Sequence, residues 1–398
     1  MRLSCTVETA AAAAAGVRRT IAETGSVQVT AIVEDVRDRG DEALLEYERQ
    51  LSGNEAIPVS QAELDGALAA LDPAVAAGLK LAAASVRAVA EAGVDAEAEV
   101  ELPEGQTVRL REVAVRRAAV YAPGGRHPYP SSVVMGAVTA RAAGVDEVVL
   151  AAPGGHPTIL AAAALCGVEE VYRMGGAQAI AALAYGTESI SPVDVIVGPG
   201  SLWVQEAKRL VAGTVGIDGF AGPSDLTIIA SAGADPEPLR LDLLAQAEHG
   251  EGSLVVAVSD DGALLDRLAE VAVAVHVDGM EAALAFAEAL APEHLQLAGA
   301  AAEELAPRVR SAGCLFVGIE SGTAFGDYVA GSNHTLPTDG AARFASGLSA
   351  RHFRRRMAEV RVGRAAAALA RAGAPIARAE GFEQHAASME IRENPPSG

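Results

Sequence analysis

The amino-acid sequence predicts an α/β fold built from two similar parallel-sheet units. From about Ala118 onward, short aliphatic runs end in turns rich in proline or glycine, and an alanine-rich helical stretch follows each turn. A second set of aliphatic runs begins near Asp225. This alternation is typical of parallel sheets that carry helices on their faces and ligand sites at the carboxyl ends of their strands.

The elements follow in order along the chain. Val29, Ile32, Val33 and Val36 recur at helical spacing in a mostly helical N-terminal region, and the polar stretch Glu101–Arg109 separates this region from the first sheet unit. The strands and helices predicted for the first unit are Ala118–Ala122, Ser131–Ala143, Glu147–Ala152, Thr158–Leu165, Val168–Arg173, Ala177–Leu183, Asp194–Val197 and Leu202–Val211. The strands predicted for the second unit are Asp225–Ser231, Ser253–Ser259 and Gly313–Gly318.

The last part of the chain, from Gly347, is predicted to be a helical tail. It carries an arginine cluster, interpreted as the solvated face of a helix, that comprises Arg351, Arg354, Arg355 and Arg356.

Charge and composition exclude several classes of protein. Acidic residues outnumber basic ones by 52 to 31, which gives a net charge of −21. Such a surface repels nucleic acid and anionic membranes, so neither is an expected partner. Apolar runs such as Glu147–Pro153 and Leu254–Ser259 are too short to cross a bilayer, and no leader sequence is recognised. The three cysteines lie far apart in the sequence and form no disulfide framework. These features predict a cytoplasmic protein.

Three polar clusters contain residues capable of chemistry. Gln246 and His249 share one face of a predicted helix, where they can hold a metal ion or simply form an exposed polar helix end. Glu293 and His294 follow a proline and suit general acid/base work, although a surface loop explains them too. Asp327 and His334 belong to a glycine-rich polar loop, and loops of this composition are typical of binding sites.

A fourth cluster and several turns carry weaker signals. Glu380 and His385 lie near the C-terminus, where solvated charges are common. Tyr121–Gly125 closes a predicted strand, Pro130–Ser132 begins a helix that favours an anion, and Val197–Ser201 leads into another helix. Ordinary structural turns explain these segments equally well. No strand leads into the usual glycine-rich dinucleotide fingerprint, so spacing alone does not establish NAD binding.

Many separated motifs, in order over nearly the whole chain, give the sequence a close resemblance to the histidinol dehydrogenase family. The motifs that carry it are Val120–Gly125, Tyr129–Met135, Gly175–Ala179, Ala184–Thr187, Val197–Gly200, Glu206–Arg209, Ala221–Ser224, Gln246–His249, Pro292–His294, Gly326–Tyr328, Asn333–Thr338 and Ser346–Leu348.

The resemblance implies a function and a set of site residues. The reaction is the NAD-dependent, four-electron oxidation of L-histidinol through L-histidinaldehyde to L-histidine, at the end of histidine biosynthesis. One zinc ion per subunit is expected, with Gln246, His249, Asp327 and His385 as its ligands. Glu293 and His294 correspond to the catalytic acid/base pair, and Tyr121, Gln178 and Ser201 to the NAD contacts. The expected substrate contacts are Ser224, Gln246, His249, His294, Asp327, His334, Glu380 and His385.

The same resemblance implies a domain plan and a homodimer with shared active sites. The plan comprises a small helical domain (1–29 with 348–373), a first Rossmann-like domain with the zinc site (30–120 with 224–347), a second Rossmann-like domain for NAD (121–223) and a tail (374–398) that contributes to the partner's site. Both Rossmann-like domains are expected to be incomplete and to lack the glycine fingerprint.

Alternatives remain open because the chain departs from the family pattern. Ser201 stands where asparagine is common, Arg126–Pro128 replaces small residues, and Asp225 replaces the usual glutamate. A relative that oxidises another small polar alcohol, such as a sulfonated diol, is one alternative. A zinc-dependent hydrolase is another, since the same ligands beside a Glu–His pair can activate water. A non-catalytic binding protein is a third.

Overall fold

The computed structural model describes residues 2–20, 27–53, 58–124, 127–220, 222–250 and 252–393. The chain forms two compact units, Met1–Gly93 with Val115–Phe353 and Val94–Ala114 with Arg354–Gly398. The strands are β1 Arg2–Cys5, β2 Ala98–Glu101, β3 Thr107–Ala114, β4 Arg117–Tyr121, β5 Glu147–Ala151, β6 Glu170–Tyr172, β7 Val195–Val197, β8 Gly216–Ile217, β9 Asp225–Ala230, β10 Leu254–Ser259, β11 Val273–Val277, β12 His294–Ala298, β13 Cys314–Val317 and β14 Arg354–Arg361.

The helices are α1 Ala10–Arg18, α2 Thr30–Arg39, α3 Asp41–Leu51, α4 Gln61–Ala70, α5 Pro73–Ala92, α6 Pro130–Ala142, α7 Pro157–Leu165, α8 Gly176–Tyr185, α9 Leu202–Val211, α10 Pro236–Ala247, α11 Gly262–Leu268, α12 Met280–Leu290, α13 Ala300–Glu303, α14 Thr323–Tyr328, α15 Ala366–Ala379 and α16 Glu383–Glu390. The predicted α/β class is therefore confirmed. Most predicted elements lie within a residue or two of their observed limits, which is the usual uncertainty at element ends.

The first large unit contains a five-stranded parallel sheet in the order β6-β5-β4-β7-β8. Every residue of β4 is buried, as expected for a central strand with both faces covered. The chain adds β5 and β6 on one side of β4 and then returns to add β7 and β8 on the other. The strand order thus reverses between β4 and β7, and ligands of such sheets bind at this point, outside the carboxyl ends of the strands.

The same unit contains a six-stranded parallel sheet in the order β1-β11-β10-β9-β12-β13. An aliphatic cluster that includes Ile229, Val256, Val258, Leu295 and Leu297 packs one face of this sheet. Strand β1 pairs with β11, so the N-terminal segment joins this sheet, whereas the sequence predicted only helix there. Likewise β4 belongs wholly to the five-stranded sheet, although the expected domain limit falls at residue 120. The other expected domain limits stay predictions.

The second unit holds a three-stranded antiparallel sheet in the order β14-β3-β2, together with α15 and α16. The prediction of a helix for the arginine cluster is wrong here, because Arg354, Arg355 and Arg356 lie in β14. Cross-strand partners explain the difference: Arg356 Nε lies 2.5 Å from Glu112 Oε1 on β3, and Arg354 Nη2 donates to the Glu112 carbonyl at 2.7 Å. Pairing with a strand far away in sequence decides the conformation of such a charged segment.

Helix α5 corrects the expectation that every apolar run is too short to cross a bilayer. Among the described residues, it is the one helix that is long enough and apolar enough to cross a membrane. Its buried side chains are those of Leu79, Ala82, Val86 and Ala90, and it packs against α6. A single helix of this kind is weak evidence for a membrane span, since helices of folded domains meet the same criterion.

Candidate active site

A cavity of about 590 Å³ lies between the two parallel sheets of the first unit. Its lining brings together most of the residues predicted from the sequence: Ser201, Ser224, His249, Glu293, His294, Asp327 and His334. The volume lies within the range of small-molecule sites, roughly 300–1,000 Å³. The cavity is therefore the candidate active site.

The two sheets present opposite ends to this cavity. Pro123 follows β4 and Pro199–Ser201 follows β7, so the five-stranded sheet contributes its carboxyl ends, as predicted. Ser224 precedes β9 and Glu293 precedes β12, so the six-stranded sheet contributes its amino ends. The expectation of carboxyl-end sites is thus wrong for the second sheet. Helix α10 returns the chain from the far end of β9, which places His249 at the amino edge.

The Glu293–His294 pair sits at a tightly constrained start of β12. Ala291 ends α12 in the left-handed region, with φ 48°, a conformation that is uncommon for a residue other than glycine. Both side chains of the pair are buried, with relative exposures of 5% for Glu293 and 3% for His294. The ring of Phe316 on β13 stacks on that of His294 at 6.0 Å between centroids. These contacts hold the imidazole in one orientation.

The hydrogen bonds of His294 define its tautomer. Nδ1 lies 3.0 Å from the carbonyl oxygen of Asp225. Because a carbonyl oxygen only accepts, Nδ1 carries the hydrogen, and Nε2 of the neutral ring carries a lone pair. Nε2 lies 3.7 Å from Asp327 Oδ1 on α14. His294 therefore presents a proton acceptor towards the acidic side of the cavity.

Charge and burial shift the pKa values of this cluster. Burial by itself would lower the pKa of His294, but the carboxylates of Asp327 and Glu293 and the Asp225 carbonyl outweigh it and raise the pKa to about 9. Burial raises the pKa of Glu293, against the opposing effect of His294. Burial and then the charge of Glu293 raise the pKa of Asp225 to about 7. Shifted values of this kind cluster at catalytic sites.

A chain of hydrogen bonds links Gln246 to Glu293. Gln246 Nε2 donates to Ser224 Oγ at 2.7 Å, and Ser224 Oγ donates to Glu293 Oε2 at 2.6 Å. His249 Nδ1 lies 3.2 Å from the Gln246 carbonyl, so Nδ1 is the donor and Nε2 is left with its lone pair. The amide nitrogen of Gln246 is thus occupied, and the residue is buried behind Ser224, outside the cavity lining.

The segment Asp327–His334 begins in α14 and contacts the start of α6. His334 Nδ1 lies 2.9 Å from the Asp327 carbonyl, and its Nε2 lies 3.2 Å from Ser132 Oγ at the start of α6. Burial lowers the pKa of His334, so its ring is neutral near pH 7. A neutral ring with Nδ1–H accepts a hydrogen bond from the Ser132 hydroxyl at Nε2. This contact fixes the loop against α6.

The donor atoms present suit zinc only in part. Gln246, His249 and Asp327 offer oxygen and nitrogen ligands, which zinc accepts in open sites. In the part of the chain that the structure describes, no three His, Cys, Asp or Glu side chains gather as a metal-binding group. Glutamine falls outside that group of residues, and His385 belongs to the second unit. A complete site would thus require a ligand beyond the cavity lining.

The expected NAD contacts lie at the carboxyl edge of the five-stranded sheet. Ser201 is exposed in the cavity, at the N-cap of α9. Tyr121 and Gln178 are buried and lie outside the cavity lining. Gly176 N donates to the Tyr121 hydroxyl at 3.2 Å, and Gln178 Nε2 donates to Glu48 Oε1 at 2.8 Å.

Glu380 and His385 belong to the second unit. Glu380 is the C-cap of α15, and His385 lies on α16 with its ring 5.1 Å from that of Phe382. Both residues are exposed. Their contribution to an active site stays a prediction.

Two residues near the site escaped the sequence analysis. Glu48 accepts from Gly175 N at 2.9 Å and from Gln178, yet in the sequence it is one of several acidic residues on a charged helix. Asp225 accepts from Glu293 N at 2.8 Å through Oδ1, and the sequence marked it only as a departure from the family pattern. The long sequence separations of these contacts leave no local signal.

The chain is similar to known proteins over almost its whole length. The family model described as histidinol dehydrogenase matches residues 17–276 and 266–393. The histidinol dehydrogenase of Rhizobium meliloti (strain 1021) is 42% identical, over 95% of this chain and 94% of the relative. That of Rhodospirillum rubrum is 41% identical, over 96% and 95%. The crystal structure of histidinol dehydrogenase from Elizabethkingia anophelis superposes with a TM-score of 0.90 at 28% identity, over 98% of this chain and 97% of that one.

A more distant structure shares the fold alone. An acetylating aldehyde dehydrogenase from Geobacillus thermoglucosidasius superposes with a TM-score of 0.50 at 14% identity, over 89% of this chain and 96% of that one.

Proposed function

The chain belongs to the histidinol dehydrogenase family of oxidoreductases, and on that premise we propose that its cavity oxidises L-histidinol through L-histidinaldehyde to L-histidine. The observation that carries the proposal is the buried Glu293–His294 pair in the cavity lining, with His294 Nδ1 bound to the Asp225 carbonyl and Nε2 as the atom that exchanges a proton with the substrate. Because the pKa of His294 is raised to about 9, the ring is mostly protonated at pH 7, and the neutral form that accepts the alcohol proton predominates only above about pH 9.

NAD supplies the hydride acceptor in both oxidations when it is bound. In the first oxidation, His294 Nε2 takes the proton of the substrate's hydroxyl group. A hydride leaves the carbon that bears this hydroxyl group, and the aldehyde forms. Glu293 then removes a proton from water as the resulting hydroxide adds to the aldehyde carbon. His294 returns the proton that it took in the first oxidation to the aldehyde oxygen, which forms the hydrate and restores the neutral imidazole. In the second, His294 takes a hydroxyl proton of the hydrate as the second hydride leaves, and the carboxylic acid results.

The hydrogen bonds around the pair explain how both groups stay in place. Ser224 Oγ and Asp225 N both donate to Glu293 Oε2, at 2.6 and 3.0 Å, so these two hydrogen bonds fix the carboxyl group. Asp225 contributes its carbonyl to His294. Groups that are fixed before the substrate binds lose little entropy in the transition state.

We propose that zinc is held by Gln246, His249, Asp327 and the partner subunit's His385. The lone pair on His249 Nε2, the Asp327 carboxylate in the cavity and the contact of Gln246 with Ser224 of the cavity lining support this assignment. Zinc would supply a Lewis acid that binds polar atoms of the substrate. The exposed positions of Glu380 and His385 support the proposal that a partner in a homodimer receives them.

We also propose a cytoplasmic location, which the free cysteines Cys5, Cys166 and Cys314 support.

The test measures NADH formation from L-histidinol by the wild type and by His294→Asn. Loss of the base is expected to lower turnover at least about 100-fold. His276→Asn is the matched control, because His276 lies on β11 and outside the cavity lining, and it should retain wild-type turnover. Near-normal turnover in His294→Asn would remove His294 from the mechanism, and no NADH from the wild type would refute the reaction.

Chelation tests the metal. Dialysis against a strong chelator should abolish NADH formation, and added zinc should restore it, because two of the proposed ligands, His249 and Asp327, line the cavity. Full activity after removal of all bound metal would contradict the zinc assignment. Hydrolysis of an ester or amide without NAD reduction would favour the hydrolase alternative instead.

A further inference from the structure

A buried ion pair lies directly behind one wall of the cavity. Lys208 on α9 and Asp218, which follows β8, form this pair, and their side chains are only 1% and 6% exposed. Lys208 Nζ donates to the carbonyl oxygen of Gly198 at 3.0 Å, and Gly198 N donates to Asp218 Oδ2 at 2.7 Å. The two charged side chains together thus hold both peptide groups of one glycine.

Gly198 occupies the point where the strand order of the five-stranded sheet reverses. It follows β7 directly, and its φ of +118° is a conformation that residues with a side chain rarely adopt. A Cβ atom at Gly198 would lie 2.2 Å from the carbonyl oxygen of Tyr121, the last residue of β4. The backbones of β4 and β7 are therefore in close contact at the place where sheets of this kind bind ligands.

The ion pair decides where the next residues of the loop lie. Pro199, Gly200, Ser201 and Leu202 follow Gly198 and line the cavity. Ser201 begins α9, and its side chain makes no capping hydrogen bond, so the hydroxyl group is not used by its own helix. Displacement of Gly198 would move this whole wall.

Stability alone does not account for such a pair. Two charges removed from water lose hydration that their attraction only partly restores, and apolar side chains of similar size often replace a buried ion pair without loss of stability. Hydrogen bonds from charged groups are, however, about twice as strong as neutral ones and define geometry sharply. The hydrogen bonds of Lys208 and Asp218 therefore serve to fix the position of Gly198.

We infer that Lys208 and Asp218 are positioning residues for the dinucleotide: the pair holds the Gly198–Ser201 segment in the conformation that binds NAD. This inference rests on the proposed function, since it takes NAD as the ligand of this wall. Neither side chain touches the cavity, so the pair acts only through the loop.

The same sheet offers a matched control at its opposite end. Arg117, at the amino end of β4, has a side chain only 5% exposed and pairs with Glu147 at 2.8 Å and with Glu170 at 2.9 Å. This second ion pair also joins neighbouring strands, but it lies outside the cavity lining. Its loss should affect stability and leave the dinucleotide wall in place.

The experiment compares the double variant Lys208→Met/Asp218→Leu with Arg117→Met. Replacement of both partners avoids an unpaired buried charge, so the double variant is expected to fold. NADH affinity is measured by fluorescence titration, and KM is measured separately for NAD and for L-histidinol. The double variant should bind NADH about tenfold more weakly and raise the KM for NAD by a similar factor, since two charge-assisted hydrogen bonds are lost. The KM for L-histidinol should change by less than about twofold, because no substrate contact is removed.

Each outcome decides the inference. Arg117→Met should lower the melting temperature and leave NADH affinity unchanged. Unchanged NADH affinity in the double variant would overturn the inference, and so would an equal loss of affinity in both variants, which indicates general destabilisation. If the double variant does not fold, Asp218→Asn provides the same comparison. A smaller loss of NADH affinity is then expected, and an unchanged affinity would contradict the inference.

Failure of the proposed function has a different signature. A wild type that binds NADH but does not oxidise L-histidinol would refute the proposed reaction, and the NADH titrations would still test the role of the pair. A wild type that does not bind NADH would overturn both.

Discussion

Two carboxyl groups, those of Asp225 and Glu293, face each other through reciprocal backbone hydrogen bonds at the centre of the site. Asp225 N donates to Glu293 at 3.0 Å, and Glu293 N donates to Asp225 at 2.8 Å. Both residues are buried, and like charges so close in a protein interior cannot both ionise freely. Asp225 is therefore the member whose proton is retained to about pH 7.

This raised pKa predicts a pH-dependent stability that Asp225→Asn removes. The folded protein keeps the Asp225 proton up to about pH 7, whereas the unfolded chain releases it near the ordinary value of 3.8. The contribution is therefore complete below pH 4 or so and is lost as pH rises towards 7. The free energy of unfolding of the wild type, relative to that of Asp225→Asn, should fall across this window in urea denaturation.

Asparagine preserves the shape of Asp225 and the acceptor for Glu293 N, so packing changes little. The difference between the two proteins isolates Asp225 from other groups that titrate in the same range. Parallel stability curves from pH 4 to pH 7 would show that Asp225 has an ordinary pKa in the folded protein.

Among the elements, α6 contacts both the five-stranded sheet and the segment that carries His334. It packs on β4 through Gly136, where a Cβ atom would lie 2.5 Å from Val120 Cγ1. Its first turn carries Ser132, which contacts His334, and in its second turn the Met135 carbonyl accepts a hydrogen bond from Asn333 Nδ2 at 3.1 Å. A shift of α6 away from β4 would therefore move the loop that holds Asp327.

Gly136→Ala is expected to destabilise the protein by about 1–3 kcal/mol, because the added methyl group overpacks the contact with Val120. Gly78→Ala is the matched control, since Gly78 lies inside α5 with nothing within 4 Å of an added Cβ. That change should stabilise by roughly 0.5–1 kcal/mol through helix propensity. Chemical denaturation of both variants makes the comparison, and equal effects of the two substitutions would contradict the packing argument.

Local sequence predicted the elements whose own residues carry the signal. The aliphatic runs of β5 and β9 and the alanine-rich α6 and α8 follow directly from periodicity and from flanking turns. Strand β14 could not be predicted in this way, because its three arginines give no apolar alternation and its conformation depends on ion pairs with β3. Strand β12 was predicted only as a loop and a short apolar run, since its central pairing with β9 is long-range.

The site was predicted through family motifs more than through chemistry alone. The Glu293–His294 and Gln246–His249 clusters stood out as polar groups in an alanine-rich chain, and the structure places Glu293, His294 and His249 in one cavity. The amino-edge position of this half of the site could not be predicted from strand patterns. It depends on the way that α10 and α12 return the chain to the same edge of the sheet.

For the whole molecule, the proposed sharing of active sites between subunits gives a test that no single chain provides. If each site combines His294 of one subunit with the partner's His385, a mixture of His294→Asn and His385→Asn chains forms heterodimers with one intact site and one doubly altered site. Unfolding and refolding the two inactive variants together should restore about a quarter of wild-type activity, by symmetry and random pairing.

Refolding each inactive variant alone is the control and should restore nothing. No recovery in the mixture, with heterodimers demonstrated by a tag on one variant, would mean that each site is built from one chain.

One cavity is proposed to carry out both oxidations without release of the aldehyde. The most direct test of this proposal is the number of NADH molecules formed per L-histidinol when histidinol is limiting. About two NADH molecules are expected, because each NAD accepts two of the four electrons, and added hydrazine should trap no free aldehyde. One NADH with accumulation of trapped aldehyde would contradict the account, since His294 and Glu293 would then serve only the first oxidation.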